Sequence, residues 1–155
     1  SDVPFFINGG CALIQGRGEI ITPLPPMNGW WAVILKKSLS INNKTMKLYG
    51  LLTSEDFTDG STTQMLAQGL KEGKVSSNLI IQGVNAFERA INNTYPNINQ
   101  YRRELITAGA PFVRLTGSGP TLYTLVESHQ EGEKILNHLA INKQSAFLAR
   151  LLEPQ

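Results

Sequence analysis

The sequence predicts an α+β fold, and two observations support this prediction. The run from Trp30 to Leu35 contains six consecutive apolar residues, which is the length and character of a strand covered on both faces. Beyond residue 43, helical periodicity alternates with a glycine-centred β-hairpin near residues 111–127. The order strand, helices, hairpin, helix and final element is typical of helices packed on one face of an antiparallel sheet, which includes the ferredoxin-like arrangement.

The first 27 residues form a separate unit in this prediction. Short β-rich runs between residues 3 and 24 are divided by Gly9-Gly10 and by Gly16-Arg17-Gly18. They indicate a hairpin or meander that is too small to bury its own faces. The proline-rich stretch 22–29 has the composition of a linker, so we place a domain boundary near residue 27 and assign 28–155 to a second domain.

Helices are predicted over most of residues 44–110. Met46, Tyr49 and Leu52 recur at helical spacing, and residues 63–73 indicate a second helix. Residues 78–95 carry one apolar stripe that ends before Pro96, which predicts a single helix. Residues 98–110 indicate a further helix that is capped by Gly109.

The carboxyl-terminal third is predicted to begin with a hairpin. Residues 111–127 contain two β runs around a tight glycine turn, and residues 129–142 have a helical pattern. The closing segment from Gln144 onward fits a strand or a helix, and its periodicity does not distinguish them.

Composition excludes several classes of function. The 155 residues carry a formal charge of only +2 and no dense basic stripe, so nucleic acid is not an expected partner. No apolar run reaches the length of about 18 residues that spans a bilayer, so no membrane partner is expected either. Cys11 is the one cysteine, which excludes an intramolecular disulfide, and we interpret it as a small core residue.

Two stretches are candidates for chemistry. Gly117-Ser118-Gly119 lies between two β runs, where small residues form either a plain hairpin turn or a nest of backbone N–H groups for a phosphate. Asp2 precedes an apolar segment, so it is either a partly desolvated acid or base, or a solvated or capping residue.

The other candidates have simpler interpretations. His129 and His138 lack a partner at metal-ligand spacing, so both are expected at the surface. The charges of residues 101–104 are interpreted as a solvated helix face. Tyr49 and Phe87, at helical spacing, are predicted to be core residues.

Together these motifs resemble a known family. The segments SDVPFF, GGCALIQGRGEIITPL, NKTMKLY and GAPFVRLTGSGPTLY are similar to the carboxyl-terminal half of the 4-diphosphocytidyl-2-C-methyl-D-erythritol kinases, which belong to the GHMP small-molecule kinases. The resemblance covers the whole chain. It implies the end of a ribosomal S5 domain 2-like lobe in residues 1–27, followed by a ferredoxin-like C-terminal domain in residues 28–155.

The resemblance also implies an activity. Enzymes of this family transfer the γ-phosphoryl group of ATP, accompanied by Mg²⁺ and without a tightly bound cofactor, to the 2-hydroxyl of a cytidyl-diphosphate methylerythritol in non-mevalonate isoprenoid synthesis. By this resemblance Asp2 is the catalytic residue, Gly117, Ser118 and Gly119 lie in the phosphate region, and Tyr49 and Thr45 bind substrate. The implied location is the bacterial cytoplasm or a plastid.

An amino-terminal kinase lobe with the main ATP phosphate loop is an implied partner, so the chain alone is expected to be inactive. One departure from the family pattern is Asn85-Ala86-Phe87-Glu88, where asparagine-aspartate-leucine-glutamate is common. Alternatives are another GHMP kinase of homoserine or mevalonate type, or a non-catalytic α+β ligand-binding module.

Overall fold

The computed structural model describes residues 3–37 and 43–152 and has the α+β architecture predicted from the sequence. The strands in these residues are β1 (Cys11–Gln15), β2 (Ile20–Leu24), β3 (Trp31–Leu35), β4 (Arg114–Leu115), β5 (Leu122–Val126) and β6 (Ala146–Arg150). The α-helices are α1 (Val3–Asn8), α2 (Lys44–Tyr49), α3 (Ser61–Lys71), α4 (Ser77–Ile80), α5 (Glu88–Thr94), α6 (Ile98–Thr107) and α7 (His129–Ile141). A 3-10 helix spans Ser54–Asp56.

The main sheet has four antiparallel strands in the order β4-β5-β3-β6. Its centre is β3, where Val33 lies opposite Thr124 of β5 and Leu148 of β6. If the four strands are numbered along the chain, their order across the sheet is second, third, first, fourth. Helices lie between the first and second strands and between the third and fourth strands. This is the ferredoxin-like order, and it confirms the predicted fold class.

The hydrophobic core lies between this sheet and the helices. Helix α7 packs on β3, β5 and β6, and α6 packs on α5 and α7. The core cluster consists of Val33, Leu35, Leu48, Ala90, Ile91, Ile98, Leu105, Ala110, Val113, Leu115, Leu122, Val126, Ile135 and Leu139. The apolar run that predicted a covered strand therefore forms β3, which lies inside the sheet with Val33 and Leu35 fully buried.

The amino-terminal segment is a helix followed by a hairpin. Strands β1 and β2 pair antiparallel, with Cys11 opposite Leu24, which confirms the hairpin. The β-rich reading of residues 3–8 was wrong, because Pro4 is tolerated in the first turn of helix α1 and Gly9, at φ 65°, ends it. The two-stranded sheet is separate from the main sheet, and the domain boundary near residue 27 remains a prediction.

The predicted single helix over residues 78–95 was wrong. The segment contains α4 and α5, and residues 81–87 between them are not helical. The side chain of Asn85 accepts a hydrogen bond from the Phe87 N–H at 2.9 Å, which competes with helical hydrogen bonding at this point. Asn85 therefore redirects the chain before α5 begins.

The predicted apolar stripe of α2 was also misplaced. Leu48 is the buried residue of this helix, with 1% exposure, whereas Tyr49 is 61% exposed. Because α2 is only six residues long, Leu52 lies beyond its end, where it still packs against the core. The prediction that Tyr49 is a core residue was therefore wrong.

The helix ends in the carboxyl-terminal half follow their sequence signals. Gly109 adopts φ 101°, and the N–H groups of Gly109 and Ala110 return to the carbonyls of Ile106 and Leu105, each at 3.0 Å. This is a Schellman cap and confirms the predicted end of α6. The segment after α7, which the sequence left open, is strand β6.

The predicted solvated face at residues 101–104 was wrong in part. Arg102 is only 18% exposed because its guanidinium donates to the carboxylate of Glu88. The ammonium of Lys37 lies 3.8 Å from the centre of the Tyr101 ring, a cation–π contact. None of the helices in residues 3–37 and 43–152 is long and apolar enough to cross a membrane.

An ion pair connects the segment after α2 to helix α5. Arg89 donates through Nε to Asp56 at 2.7 Å, and through Nη2 to Asp56, to the Leu51 carbonyl at 3.0 Å and to the Thr53 hydroxyl at 3.1 Å. The backbone N–H of Thr53 also donates to Asp56, at 2.7 Å. The hydrogen bond from Arg89, followed by that from Thr53, holds the pKa of Asp56 well below its ordinary value.

We expect the core between α7 and the sheet to dominate stability. The substitution Leu139→Ala removes a side chain with 0% exposure and should lower the free energy of unfolding by about 2–5 kcal/mol. The matched control is Ile141→Ala in the same helix, where 81% exposure predicts a change within about 0.5 kcal/mol. Equilibrium unfolding in urea measures both, and equal effects of the two substitutions would contradict the assigned core.

The Arg89–Asp56 pair predicts a pH-dependent contribution to stability. Since the folded-state pKa of Asp56 lies below the ordinary 3.8, the stabilisation is fully present above that value and is lost as the pH falls toward the folded pKa. The stability difference between the wild type and Asp56→Asn should therefore shrink below about pH 4. Urea unfolding from pH 7 to pH 2 tests this, with Glu127→Gln as a charge control. A difference that stays constant over this range would disprove the linkage.

Candidate functional site

The hairpin between β4 and β5 contains the predicted phosphate region, which we call the glycine loop (residues 116–120). Gly117 and Gly119 have φ values of 53° and 64°, which favour glycine. A side chain at Gly119 would also collide with Leu115, whose Cγ would lie 3.1 Å from the added Cβ. At Gly117 an added Cβ would meet nothing within 4 Å, so space is open beside this residue.

The loop leaves two backbone N–H groups for a ligand. The amide of Gly119 donates to the Thr116 carbonyl at 2.9 Å and is therefore used within the turn. For the amides of Gly117 and Ser118, no acceptor is found in the part of the chain that the structure describes. The loop is thus a hairpin turn that also presents two adjacent N–H donors. The sequence, with three consecutive small residues, had indicated three such donors.

Helix α2 brings polar side chains to this loop. The Thr45 hydroxyl lies 3.4 Å from the Ser118 hydroxyl, so two of the predicted site residues are neighbours. The ammonium of Lys44 donates to the Gly119 carbonyl. Lys44 was missed by the sequence analysis, because a single lysine at the start of a helix carries no signal for a contact 75 residues away.

Tyr49 lies on the same face of α2 as Thr45, because residues four apart are neighbours on a helix. Its ring packs edge-to-face against Phe87, with 4.9 Å between ring centres and an interplanar angle of 89°. Phe87 in turn packs against the core, as predicted. Tyr49 therefore presents an exposed aromatic ring that is packed against Phe87, on the face of α2 that contacts the glycine loop through Thr45.

Asn85 and Glu88 hold the other side of the loop. Asn85 Nδ2 donates to the carbonyls of Leu115 at 3.0 Å and Gly117 at 2.9 Å. A carboxylate oxygen of Glu88 accepts the Leu115 N–H at 3.3 Å, and the other accepts from Arg102. From the sequence, residues 85–88 were interpreted as part of a helix and as a departure from a family pattern, and nothing indicated that Asn85 and Glu88 bind this side of the loop.

A cleft of about 610 Å³ lies beside the loop, between α3, α4 and the strands β4 and β5. Its polar lining includes Arg114 and Tyr123, and burial raises the pKa of the Tyr123 hydroxyl. Arg114 donates to the Ile81 carbonyl, which ties the non-helical segment after α4 to the sheet.

Asp2, the predicted catalytic residue, lies outside the described residues. Within residues 3–37 and 43–152, no group of three or more His, Cys, Asp and Glu side chains could hold a metal ion. These residues therefore provide no protein-only cage for Mg²⁺, an ion that kinases usually hold through one or two carboxylates and the phosphates of the substrate. The polar groups near the loop include two backbone amides, the hydroxyls of Thr45 and Ser118, the ammonium of Lys44 and the carboxylate of Glu88.

Comparison with known proteins places this site in a family. The sequence model of the C-terminal domain of GHMP kinases matches residues 66–144. A 4-diphosphocytidyl-2-C-methyl-D-erythritol kinase of Dehalococcoides mccartyi is 40% identical over 155 residues, which cover 99% of this chain and 54% of that protein. The corresponding kinase of Alkaliphilus oremlandii is 29% identical over 97% of this chain and 51% of its own length. The chain thus spans about half the length of these relatives.

Solved structures share the fold. A 4-(cytidine 5'-diphospho)-2C-methyl-D-erythritol kinase superposes with a TM-score of 0.75 at 23% identity, over 96% of this chain and 52% of that one. Homoserine kinase from Cytophaga hutchinsonii gives a TM-score of 0.73 at 17% identity, over 99% of this chain and 51% of that one. The two scores are nearly equal, so the fold alone does not distinguish these activities. With the match over residues 66–144, the chain belongs to the GHMP kinase family and carries its C-terminal domain.

Proposed function

We propose that this chain is the carboxyl-terminal part of a kinase that transfers the γ-phosphoryl group of ATP to the 2-hydroxyl of 4-diphosphocytidyl-2-C-methyl-D-erythritol, a step of non-mevalonate isoprenoid synthesis. The observation that carries the proposal is 40% identity, along 99% of this chain, to a bacterial protein named for that activity. An amino-terminal half, present in the relatives, completes the enzyme and supplies most of the ATP site.

The proposed chemistry relies on alignment and charge stabilisation. Phosphoryl transfer requires the acceptor oxygen and the phosphate to be held in line, with little covalent chemistry from the protein. Asp2 orients or deprotonates the acceptor hydroxyl. The free amides of Gly117 and Ser118 are suited to a phosphate oxygen, and the ammonium of Lys44 places positive charge beside them.

The proposed substrate contact lies on helix α2. Tyr49 offers an exposed ring that Phe87 supports from its edge, which is suited to stacking on a cytosine base. Thr45 lies one turn earlier on the same face of α2, and its hydroxyl is 3.4 Å from the Ser118 hydroxyl of the glycine loop. A cytidine diphosphate could therefore bind along the face of α2 with its phosphates toward the loop.

The first test is phosphoryl transfer by the full-length protein. Asp2→Asn should lower kcat by about 10² to 10⁴-fold without changing thermal stability, because the isosteric amide cannot accept the hydroxyl proton. The assay measures formation of the phosphorylated product. Homoserine and mevalonate are tested as alternative acceptors, and the 155-residue chain alone is the control that is expected to be inactive. Nearly intact activity of the variant would remove Asp2 from catalysis, and preferential transfer to another acceptor would replace the substrate assignment.

The second test addresses the substrate base. Tyr49→Ala should raise KM for the cytidyl substrate by about 5- to 150-fold while kcat changes little. This range corresponds to the loss of about 1–3 kcal/mol, the stacking energy of one base on an aromatic ring. Phe147→Ala, which removes an exposed aromatic ring from β6, is the matched control and should leave KM unchanged. Equal KM values for the two variants would exclude Tyr49 from the site.

A further inference from the structure

We propose that Asn85 is a positioning residue: by binding the carbonyl of Gly117, it aims the N–H group of Ser118 at a phosphate of the bound nucleotide or substrate. The inference rests on the kinase function proposed above and adds a residue to it. The nitrogen of the Asn85 side chain binds carbonyls of the loop and its oxygen accepts the Phe87 N–H, so in this proposal Asn85 acts on the ligand through the backbone of the loop.

The orientation of the Asn85 amide is fixed by its partners. Its oxygen accepts the Phe87 N–H at 2.9 Å, and a backbone N–H can only donate. The Nδ2 group must therefore face the loop, where its two hydrogens match the two carbonyls of Leu115 and Gly117, at 3.0 and 2.9 Å. Both polar atoms of the side chain are thus hydrogen-bonded, the nitrogen to the loop and its flanking strand and the oxygen to the start of α5.

The effect on Ser118 follows from peptide geometry. In a trans peptide the carbonyl of one residue and the N–H of the next point in opposite directions. Because the Gly117 carbonyl is held by Asn85, the Ser118 N–H of the same peptide points away from Asn85. This N–H has no acceptor among the described residues, and the space beside Gly117 is open.

Lys44 supports the same arrangement from the opposite end of the loop. It binds the Gly119 carbonyl, so the carbonyls of Leu115, Gly117 and Gly119 are all held by side chains from outside the loop. No carboxylate in the described part of the chain forms an ion pair with Lys44. The positive charge of Lys44 beside the loop is therefore not neutralised by a carboxylate of the described residues.

The test compares Asn85→Ala with Asn142→Ala in the full-length protein. Asn142 makes a similar amide-to-carbonyl hydrogen bond, to His138 at 3.1 Å, at the far end of α7. Loss of one aligned donor at a reacting phosphate typically costs about 10²-fold in kcat, so Asn85→Ala should lose about that much while KM for the cytidyl substrate changes less than about threefold. A kcat within about threefold of the Asn142→Ala value would overturn the inference.

If Asn85→Ala does not fold, a second variant, Asn85→Asp, tests the same role. Asn85→Asp keeps the shape and the acceptor for the Phe87 N–H, but places a carboxylate against two carbonyl oxygens. It should therefore lose at least as much kcat as the alanine variant. Wild-type kcat in this variant would show that the hydrogen bonds to the loop have no catalytic role.

A binding measurement separates this inference from the proposed reaction. In full-length protein labelled with ¹⁵N-serine, a non-hydrolysable ATP analogue, with or without the cytidyl substrate, should shift the Ser118 amide resonance in the wild type and much less in Asn85→Ala. An unshifted Ser118 amide with the analogue bound would refute the role of the loop, even if the protein is a kinase. If neither the analogue nor the substrate binds, the proposed function fails, and the inference fails with it.

Discussion

Strand β4 lies at the edge of the sheet, so one of its sides has no neighbouring strand. On that side, and in the glycine loop that follows, side chains provide the hydrogen-bond partners of the backbone. Leu115, in the edge strand, has its N–H bound by Glu88 and its carbonyl bound by Asn85. A buried backbone group without a partner costs about 1–3 kcal/mol, and an open edge is also prone to wrong pairing. Two side chains from one four-residue stretch therefore close this edge and, through Gly117, determine the shape of the loop.

The same stretch joins the site to the rest of the domain. Glu88 is held by Arg102 of α6, and the next residue, Arg89, binds Asp56 and the carbonyl of Leu51. Helix α2, which carries Thr45 and Tyr49, is thus connected through Leu51 and Asp56 to the start of α5, and directly to the loop through Lys44. The loop, α2 and the segment before α5 form one hydrogen-bonded assembly built on the ferredoxin-like core.

Apolar patterning predicted much of this fold because it depends on local signals. The apolar run of β3, the glycine turn after β4 and the Gly109 cap each lie within a few residues of the element they define. Two of the failures depend on partners that are distant in sequence. Asn85 breaks a periodic helix while binding carbonyls 30 and 32 residues away, and Arg102 leaves the solvated face because Glu88 lies across from it. The roles of Asp2, Thr45 and Tyr49 came from a family resemblance, because no periodic pattern marks them.

The most direct measurement is a crystal structure of the full-length protein with the cytidyl substrate and a non-hydrolysable ATP analogue. The proposed mechanism requires the Asp2 carboxylate within about 3 Å of the acceptor hydroxyl and the Ser118 nitrogen within about 3 Å of a phosphate oxygen, both ordinary hydrogen-bond distances. A structure in which the phosphates bind away from the glycine loop, with Asp2 directed away from the acceptor, would contradict it.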